Sequence, residues 1–88
     1  MTVAVTIPTM LAELVRGDRT MDVDGATVGE ALEALFAIHP ALRVHVLDES
    51  GAIRPHVTCF HNDRMIDGLD DPVADGDRVL VLQAVSGG

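Results

Sequence analysis

The residues most able to do chemistry stand at the end of the sequence, where Gly87 and Gly88 follow the short segment Ala84-Val85-Ser86. Glycine makes up about 7% of average composition, so a glycine pair in the last two positions arises by chance roughly once in two hundred chains. Because glycine has no side chain, such an end can adopt any backbone conformation and enter a narrow channel. The pair is therefore either a frayed chain end or a tail whose carboxylate visits an active site in another protein.

The other reactive side chains form no convincing catalytic set. Cys59 lies in an apolar stretch, where a lone cysteine is far more often a small buried hydrophobe than a nucleophile or persulfide relay. The four histidines match no zinc-binding spacing. We expect His39 to cap or cover the helix end, and the others to occupy surface or strand positions: His45, His56 and His61. We therefore expect a protein that is not an enzyme and that binds no metal or cofactor itself.

Acidic residues dominate the charge of the chain. Its 14 Asp and Glu residues against 6 basic residues, all of them Arg, give a net charge of -8. This balance argues against nucleic acid and anionic membrane as partners, because both attract basic surfaces. The acidic run from Asp67 to Asp77 lacks the spacing and the closing glutamate of a calcium-binding EF-hand loop. We interpret it first as solvated turns and second as a region that steers a basic partner.

Length and composition predict one small domain. The chain has 88 residues, 48% of them hydrophobic, and its single cysteine excludes a disulfide framework and a four-cysteine iron–sulfur cluster. No apolar run is long enough to span a membrane, and no signal-peptide pattern precedes the first strand. We expect a soluble, cytoplasmic protein that is monomeric when free.

The first half of the pattern predicts a hairpin and a helix. Thr2 to Ile7 alternates in hydrophobicity and Thr20 to Val23 is a second strand candidate, so a short connection would pair them antiparallel. The intervening Met10 to Val15 either extends the edge or forms a turn. Thr27 and Glu30 form a capping box, in which Glu30 bonds back to the cap residue. The helix that follows carries one stripe at helical spacing: Val28, Leu32, Leu35, Phe36 and His39.

The second half predicts short helical turns and three further strands. Ala41 to Leu47 is expected to form another turn or two, and the strand segments are Val57 to His61, Met65-Ile66 and Arg78 to Ala84. Residues 79–82 are all apolar, which is typical of a central strand covered on both faces. The element order predicts an α+β fold in which one main helix covers a small mixed sheet. The last strand is expected beside the first and parallel to it.

The opening VAVTIPTML, the HND turn after the third strand and the closing ADGDRVLVLQAVSGG together resemble the ubiquitin-like β-grasp sulfur carriers of the MoaD and ThiS type. That family includes the small subunit of molybdopterin synthase, the thiamine-pathway carrier and the actinobacterial cysteine-pathway carrier, which the opening IPT resembles most. The resemblance spans essentially the whole chain. It implies a β-grasp domain over residues 1–84 and a flexible diglycine tail over residues 85–88. His61 and Gln83 depart from the family pattern without touching the diglycine, so they bear only on which partner is preferred.

The resemblance also implies a chemistry for the tail. In this family a partner related to ubiquitin-activating enzymes, an adenylyltransferase and sulfurtransferase, uses ATP and Mg²⁺ to adenylate the terminal carboxylate, here on Gly88 next to Gly87. A sulfur donor then replaces AMP, and the thiocarboxylate gives its sulfur to a downstream enzyme, as in cysteine or related sulfur-metabolite biosynthesis. The protein would be a co-substrate rather than an enzyme. The partner would dock on the open face of the sheet near the tail, through Phe60, Ala84, Val85 and Ser86. One of the pairs Val79/Val81 and Leu80/Leu82 must also lie on that face.

Three alternatives stay open beside the roaming carrier. The chain could be the small subunit of molybdopterin synthase, whose tail stays inserted in a catalytic large subunit. It could be a ubiquitin-like modifier that forms isopeptide bonds to lysines of other proteins. It could also be a plain interaction domain in which the diglycine is idle.

Overall fold

The computed structural model describes residues 1–66 and 68–83. The β-strands are β1 Thr2–Thr6, β2 Thr20–Asp24, β3 Val57–His61, β4 Arg64–Ile66 and β5 Arg78–Gln83. The α-helices are α1 Val28–Ile38 and α2 Arg43–Val46, and 3₁₀ helices span Thr9–Val15 and Pro40–Leu42. None of the helices in this described part is long and apolar enough to cross a membrane.

The five strands form one mixed sheet in the order β2-β1-β5-β3-β4. The central pair, β1 and β5, is parallel, with Val5 opposite Val79. The pairs β1–β2, β3–β5 and β3–β4 are antiparallel. This arrangement confirms the predicted mixed sheet, in which the last strand lies beside the first and runs parallel to it.

The hydrophobic core lies between one face of the sheet and α1. Alternate residues of the strands point inward because successive side chains of a strand lie on opposite faces. The inward set comprises Val3, Val5, Val23, Val57, Cys59, Val79 and Val81. From α1 the core receives Val28, Ala31, Leu32, Leu35 and Phe36, which confirms the predicted stripe except at His39. His39 is the half-buried C-cap residue, and its amide donates to the carbonyl of Leu35.

The start of α1 is capped much as the sequence predicts, with one difference. The Glu30 amide donates to Thr27 Oγ1 at 3.1 Å, as in a capping box. The Glu30 carboxylate, however, accepts from the amide of Ala26 at 2.9 Å, one residue before the cap. The amides of Val28 and Gly29 donate to backbone carbonyls of the loop before β5, so this loop satisfies helix donors that have no partner within the helix.

The connection between β1 and β2 differs from the prediction of an edge extension or a short turn. Residues Thr9–Val15 form a 3₁₀ helix that buries Leu11 and Val15. The chain then reverses through Arg16 and Gly17, whose φ angles are 59° and 89°. The physical reason is packing, because Leu11 and Val15 are buried in the same core cluster as Leu42.

The predicted coverage of β5 on both faces is wrong. Val79 and Val81 are buried, but Leu80 is half-buried and Leu82 is 44% exposed. A single helical layer can cover only one face of the sheet, so β5 is central between its neighbouring strands without being enclosed from above and below. The apolar run therefore predicts the strand correctly and its surroundings incorrectly.

Truncation of a core side chain tests this account of the fold. Leu35→Ala should lower the free energy of unfolding by about 2–5 kcal/mol, because Leu35 is fully buried under the sheet. Ile38→Ala is the matched control on the same helix, where Ile38 is 60% exposed, and should cost only about 0.5 kcal/mol. Urea denaturation measures both values, and equal losses would contradict the assignment of the buried face.

Candidate functional site

The open face of the sheet carries an apolar patch. In β3, Phe60 points away from the core, opposite to Val57 and Cys59 as the sequence predicts. Phe60 lies directly across from Leu80 of β5 and from Met65 of β4. The open-face patch consists of Ala4, Phe60, Met65, Leu80 and Leu82.

The open-face patch is continuous and partly exposed. Phe60 is the direct cross-strand neighbour of both Leu80 and Met65, with Cβ atoms about 4.5–5.5 Å apart, and Leu82 follows two residues after Leu80 on the same face. Ala4 lies opposite Arg78 and is a diagonal neighbour of Leu80. Met65 is 65% exposed and Leu82 is 44% exposed, while Phe60 and Leu80 are half-buried. A contiguous apolar patch on a small protein is typical of a partner-binding surface.

Polar residues border the open-face patch on the β2 side. Asp22 and Asp24, both exposed, lie opposite Ala4 and Thr2 and therefore on the same face. Beside them the hydroxyl groups of Thr6 and Thr20 share a hydrogen bond of 2.8 Å. A partner that covers the patch would thus meet apolar residues in the middle and acidic residues along one side.

The tail follows directly from this part of the sheet. β5 ends at Gln83, which lies opposite Val57 at the start of β3. The remaining candidate residues lie outside the described residues, so their roles and the division at residue 84 stay predictions: Ala84, Val85, Ser86, Gly87 and Gly88. Of the predicted partner-binding residues, the structure thus positions Phe60. Of the two β5 pairs, it places Leu80 and Leu82 on the open face rather than Val79 and Val81, and it adds Met65.

Cys59 is fully buried in the core, which agrees with the interpretation as a small hydrophobe. Burial away from water raises the pKa of its thiol to about 11, because the charged thiolate is disfavoured there. The reactive form of cysteine is the thiolate, so this side chain is both inaccessible and protonated at neutral pH. The structure gives it no part in sulfur transfer.

His61 forms the main side-chain cluster of the described residues, at the opposite end of β5 from Gln83. Its Nδ1 lies 2.8 Å from Asp71 Oδ2 and its Nε2 lies 2.7 Å from Asp77 Oδ2. Ionised carboxylates only accept hydrogen bonds, so both bonds form together only when both ring nitrogens carry a proton, as in an imidazolium. The bonds to Asp77 and Asp71 raise the pKa of His61.

The same contacts correct the interpretation of the acidic run as solvated turns. The pKa of Asp77 falls to about 2, chiefly because the Ala74 amide and then His61 donate to its carboxylate. The pKa of Asp71 is also lowered, mainly by His61. Asp75 Oδ1 accepts from the amide of Thr2 at 2.8 Å. Several carboxylates thus hold this loop to the sheet, whereas Asp67 lies outside the described residues.

No spacing in the sequence signals the His61 cluster. Its hydrogen-bond partners stand 10 and 16 residues further along the chain, and the fold alone brings them together. Within residues 1–66 and 68–83 no group of three or more His, Cys, Asp or Glu side chains is arranged to hold a metal ion. In the His61 cluster the imidazole occupies the space between the carboxylates.

Comparisons with known proteins bear on this geometry. The ThiS family model matches residues 5–88. The chain is 43% identical over 81 residues to small archaeal modifier protein 1 of Haloferax volcanii, covering 89% of this chain and 91% of that protein. It is 34% identical over 93 residues to the sulfur carrier protein CysO of Mycobacterium tuberculosis, covering 100% of both. A chain of the BexX/CysO complex of Amycolatopsis orientalis matches with a TM-score of 0.89 and 30% identity, covering 98% of this chain and 99% of that one.

The mixed five-stranded sheet under one main helix defines the class as a ubiquitin-like β-grasp protein. Within that class the chain belongs to the ThiS family of sulfur-carrier type. This confirms the family that the opening, turn and closing motifs indicated. Members of this kind are small carrier proteins rather than enzymes, and the Amycolatopsis orientalis relative is found in a complex with another protein.

The His61 cluster predicts how stability depends on pH. Because the pKa of His61 is raised in the folded state, its contribution to folding stability is complete below the ordinary histidine pKa of about 6.5. That contribution is lost as the pH rises through the raised pKa. The lowered pKa values of Asp71 and Asp77 mean that their contribution is complete above about 4 and is lost in stronger acid. The excess melting temperature of the wild type over His61→Gln should therefore be largest between about pH 4 and 6.5.

Melting temperatures recorded from pH 3 to 9 test this prediction (about six values suffice to define the window). His56→Gln is the control, since His56 is exposed and lies outside the cluster, and it should follow the wild type at every pH. An excess that stays constant across the range would contradict the paired imidazolium.

Proposed function

We propose that this protein is a sulfur carrier whose terminal glycine, Gly88, is adenylated by a partner enzyme and converted to a thiocarboxylate. The observation that carries the proposal is the family match, because it extends through residue 88 and so includes Gly87 and Gly88. The relationship to the sulfur carrier protein CysO over the full length supports the same function. The carrier acts as a co-substrate of an activating enzyme and not as a catalyst.

The chemistry explains why a partner is needed. A free carboxylate is a poor electrophile, since its charge and resonance repel nucleophiles. In the first step a carboxylate oxygen of Gly88 attacks the α-phosphorus of ATP, and pyrophosphate leaves. In the second step the sulfur donor attacks the acyl carbon, and AMP leaves with the oxygen it acquired. ATP and Mg²⁺ belong to the partner's active site, and the product is a thiocarboxylate whose anionic sulfur is a strong nucleophile.

The open-face patch is the proposed docking surface for that partner. Its exposed members, Met65 and Leu82, offer apolar area that docking would remove from water. Leu82 stands one residue before Gln83, the last described residue, so a partner seated on the patch is also next to the start of the tail. Residues Ala84, Val85 and Ser86 would then lead from the docked body to the active site, and the small side chain of Ser86 and the glycines suit a narrow entry.

For the pathway we propose cysteine or related sulfur-metabolite biosynthesis, with a downstream sulfur-accepting enzyme as the second partner. The support is the full-length similarity to the sulfur carrier protein CysO of Mycobacterium tuberculosis. The small subunit of molybdopterin synthase would behave differently, because it would stay bound to a larger subunit through purification.

A ubiquitin-like modifier is the second candidate function. The observation that favours it is the higher identity, 43%, to small archaeal modifier protein 1 of Haloferax volcanii. Both candidates share the adenylation of Gly88 and differ in the group that replaces AMP, which is sulfide for the carrier and a lysine amine for the modifier. Since this chain contains no lysine, the isopeptide bonds of a modifier would form on lysines of other proteins.

Intact-mass measurement separates these functions. The protein is incubated with the adenylating enzyme of its source organism, ATP, Mg²⁺ and a sulfide donor. The carrier function predicts the mass change of one oxygen replaced by sulfur, and lysine adducts bearing the tail remnant would favour the modifier instead. Failure of every adenylating enzyme of the organism to change the mass would overturn the carrier function.

Tail length provides a sharper prediction. Deletion of Gly88, or addition of one residue after it, should abolish sulfur loading and leave the melting temperature within about 1 °C of the wild type. The reason is that the buried core of the described residues runs from Val3 to Val81, far from the altered position in the chain. The controls are the circular dichroism spectrum and the melting curve of each variant. An extended variant that loads sulfur without first being trimmed would show that the terminal carboxylate is not the reacting group.

A further inference from the structure

A depression of about 400 Å³ lies beside the end of β5, and most of the residues that line it are not part of the open-face patch. It lies between the segment that follows β1 and the end of β5. Its lining residues are Pro8, Thr9, Met10, Arg19, Leu82 and Gln83. We call this depression the tail-root pocket.

The tail-root pocket has an apolar wall. Met10, on the 3₁₀ helix, is 54% exposed, and Leu82 belongs to the open-face patch as well. The tail-root pocket is therefore continuous with the proposed docking surface, so a partner that covers the patch next to the tail also covers this depression.

Arg19 is the charged residue of the tail-root pocket. Its Nη1 donates to the Thr9 hydroxyl at 3.1 Å and to the Ile7 carbonyl at 3.4 Å, and its own carbonyl accepts from the Ile7 amide at 2.9 Å. Both acceptors of its side chain are uncharged. Among the described residues Arg19 forms no ion pair with a carboxylate, whereas Arg43, Arg64 and Arg78 each do.

This arrangement leaves a fixed positive charge with free donors. A guanidinium has five N–H donors in a planar fork that suits a carboxylate, and two contacts from Nη1 leave most of that fork available. The contacts to Thr9 and Ile7 hold the side chain in one orientation, so less conformational entropy is lost when it binds. In a chain of net charge -8, an oriented cation without a charged partner beside the tail is a distinct chemical feature.

Gln83 also lines the tail-root pocket. Its Oε1 is shielded from solvent and has no hydrogen-bond partner within residues 1–66 and 68–83, so this atom is not accessible to a partner. The tail-root pocket thus presents a cation and an apolar wall within one depression.

We infer that the tail-root pocket is a specificity site of the activating enzyme's docking surface, where Arg19 binds an aspartate or glutamate side chain of the partner that stands beside an apolar residue. This inference rests on the proposed function. The acidic body attracts a generally basic surface over long range, and Arg19 supplies one charge of the opposite sign that fixes the register of docking. Partners without a carboxylate at this position would leave the cation covered and unpaired, which penalises wrong pairings.

Kinetics of the first chemical step test the inference. ATP–pyrophosphate exchange by the organism's adenylating enzyme is measured against the concentration of wild-type protein, Arg19→Glu and Arg19→Lys. Arg19→Glu should raise KM at least roughly tenfold with kcat unchanged, since it opposes two negative charges during docking and touches no reacting atom. The KM of Arg19→Lys should lie between those of the wild type and Arg19→Glu, because lysine keeps the positive charge and lacks the planar fork.

Arg16→Glu is the matched control, because Arg16 is exposed on the same connection and does not line the tail-root pocket. It makes the same change in net charge and should leave KM within about twofold of the wild type. The KM of the wild type should rise with salt more steeply than that of Arg19→Glu, which has lost the attractive charge. Melting curves confirm that each variant is folded.

The outcomes separate the two proposals. If the wild type supports exchange and Arg19→Glu has the same KM, the specificity site is overturned and the carrier function stands. The same conclusion follows if Arg16→Glu raises KM as much as Arg19→Glu does. Absence of exchange with the wild type for every adenylating enzyme of the organism overturns the carrier function and the specificity site with it.

Discussion

The helical layer covers only one of the two faces of the five-stranded sheet, and this constraint determines which strand side chains are buried and which are left on the open face. The helix α1 can bury only one face of the sheet, so Val3, Val5, Val79 and Val81 enter the core while Leu80 and Leu82 cannot. Burial of the covered face stabilises the domain through the hydrophobic effect. The open face is what remains, and it supplies apolar area for a partner.

The two ends of β5 have different tasks. At its start, Arg78 and Asn62 exchange backbone and side-chain hydrogen bonds at 2.8 and 3.0 Å, and the His61 cluster ties the preceding loop to β3. At its end, Gln83 leads toward the diglycine, beside the tail-root pocket. Pairing with β1 at Arg78–Leu80 and with β3 at Val79–Gln83 together holds β5 in the sheet along its whole length. A tail that starts from so well fixed a strand can be presented to a partner in a defined direction.

The sequence predicted the elements better than their surroundings. Period-two alternation at Val3, Val5 and Ile7 and the capping residues Thr27 and Glu30 act locally, so they can be recognised without the fold. The bounds of β3 were correct for the same reason. Coverage of β5 was predicted wrongly, because an apolar run cannot report how many layers the fold contains.

The candidate site divides in the same way. Phe60 follows from strand alternation once Val57 and Cys59 are assigned to the core. The pairing of His61 with two aspartates and the position of Arg19 beside Leu82 depend on long-range contacts, and composition gives no sign of them. The roles of Gly87 and Gly88 stay predictions, because they rest on residue type and position in the chain rather than on packing.

The covered face holds the fold, and we propose that the open face and the tail-root pocket bind the activating partner. Nuclear magnetic resonance of the ¹⁵N-labelled protein titrated with its unlabelled adenylating enzyme tests this most directly. We expect the signals of Phe60, Leu80 and Leu82, and those of Met10 and Arg19 in the tail-root pocket, to shift or broaden first. Ile38 and Val44 are exposed apolar residues on the helical side of the domain, and their signals should stay unchanged. Perturbation confined to the helical side would contradict the account.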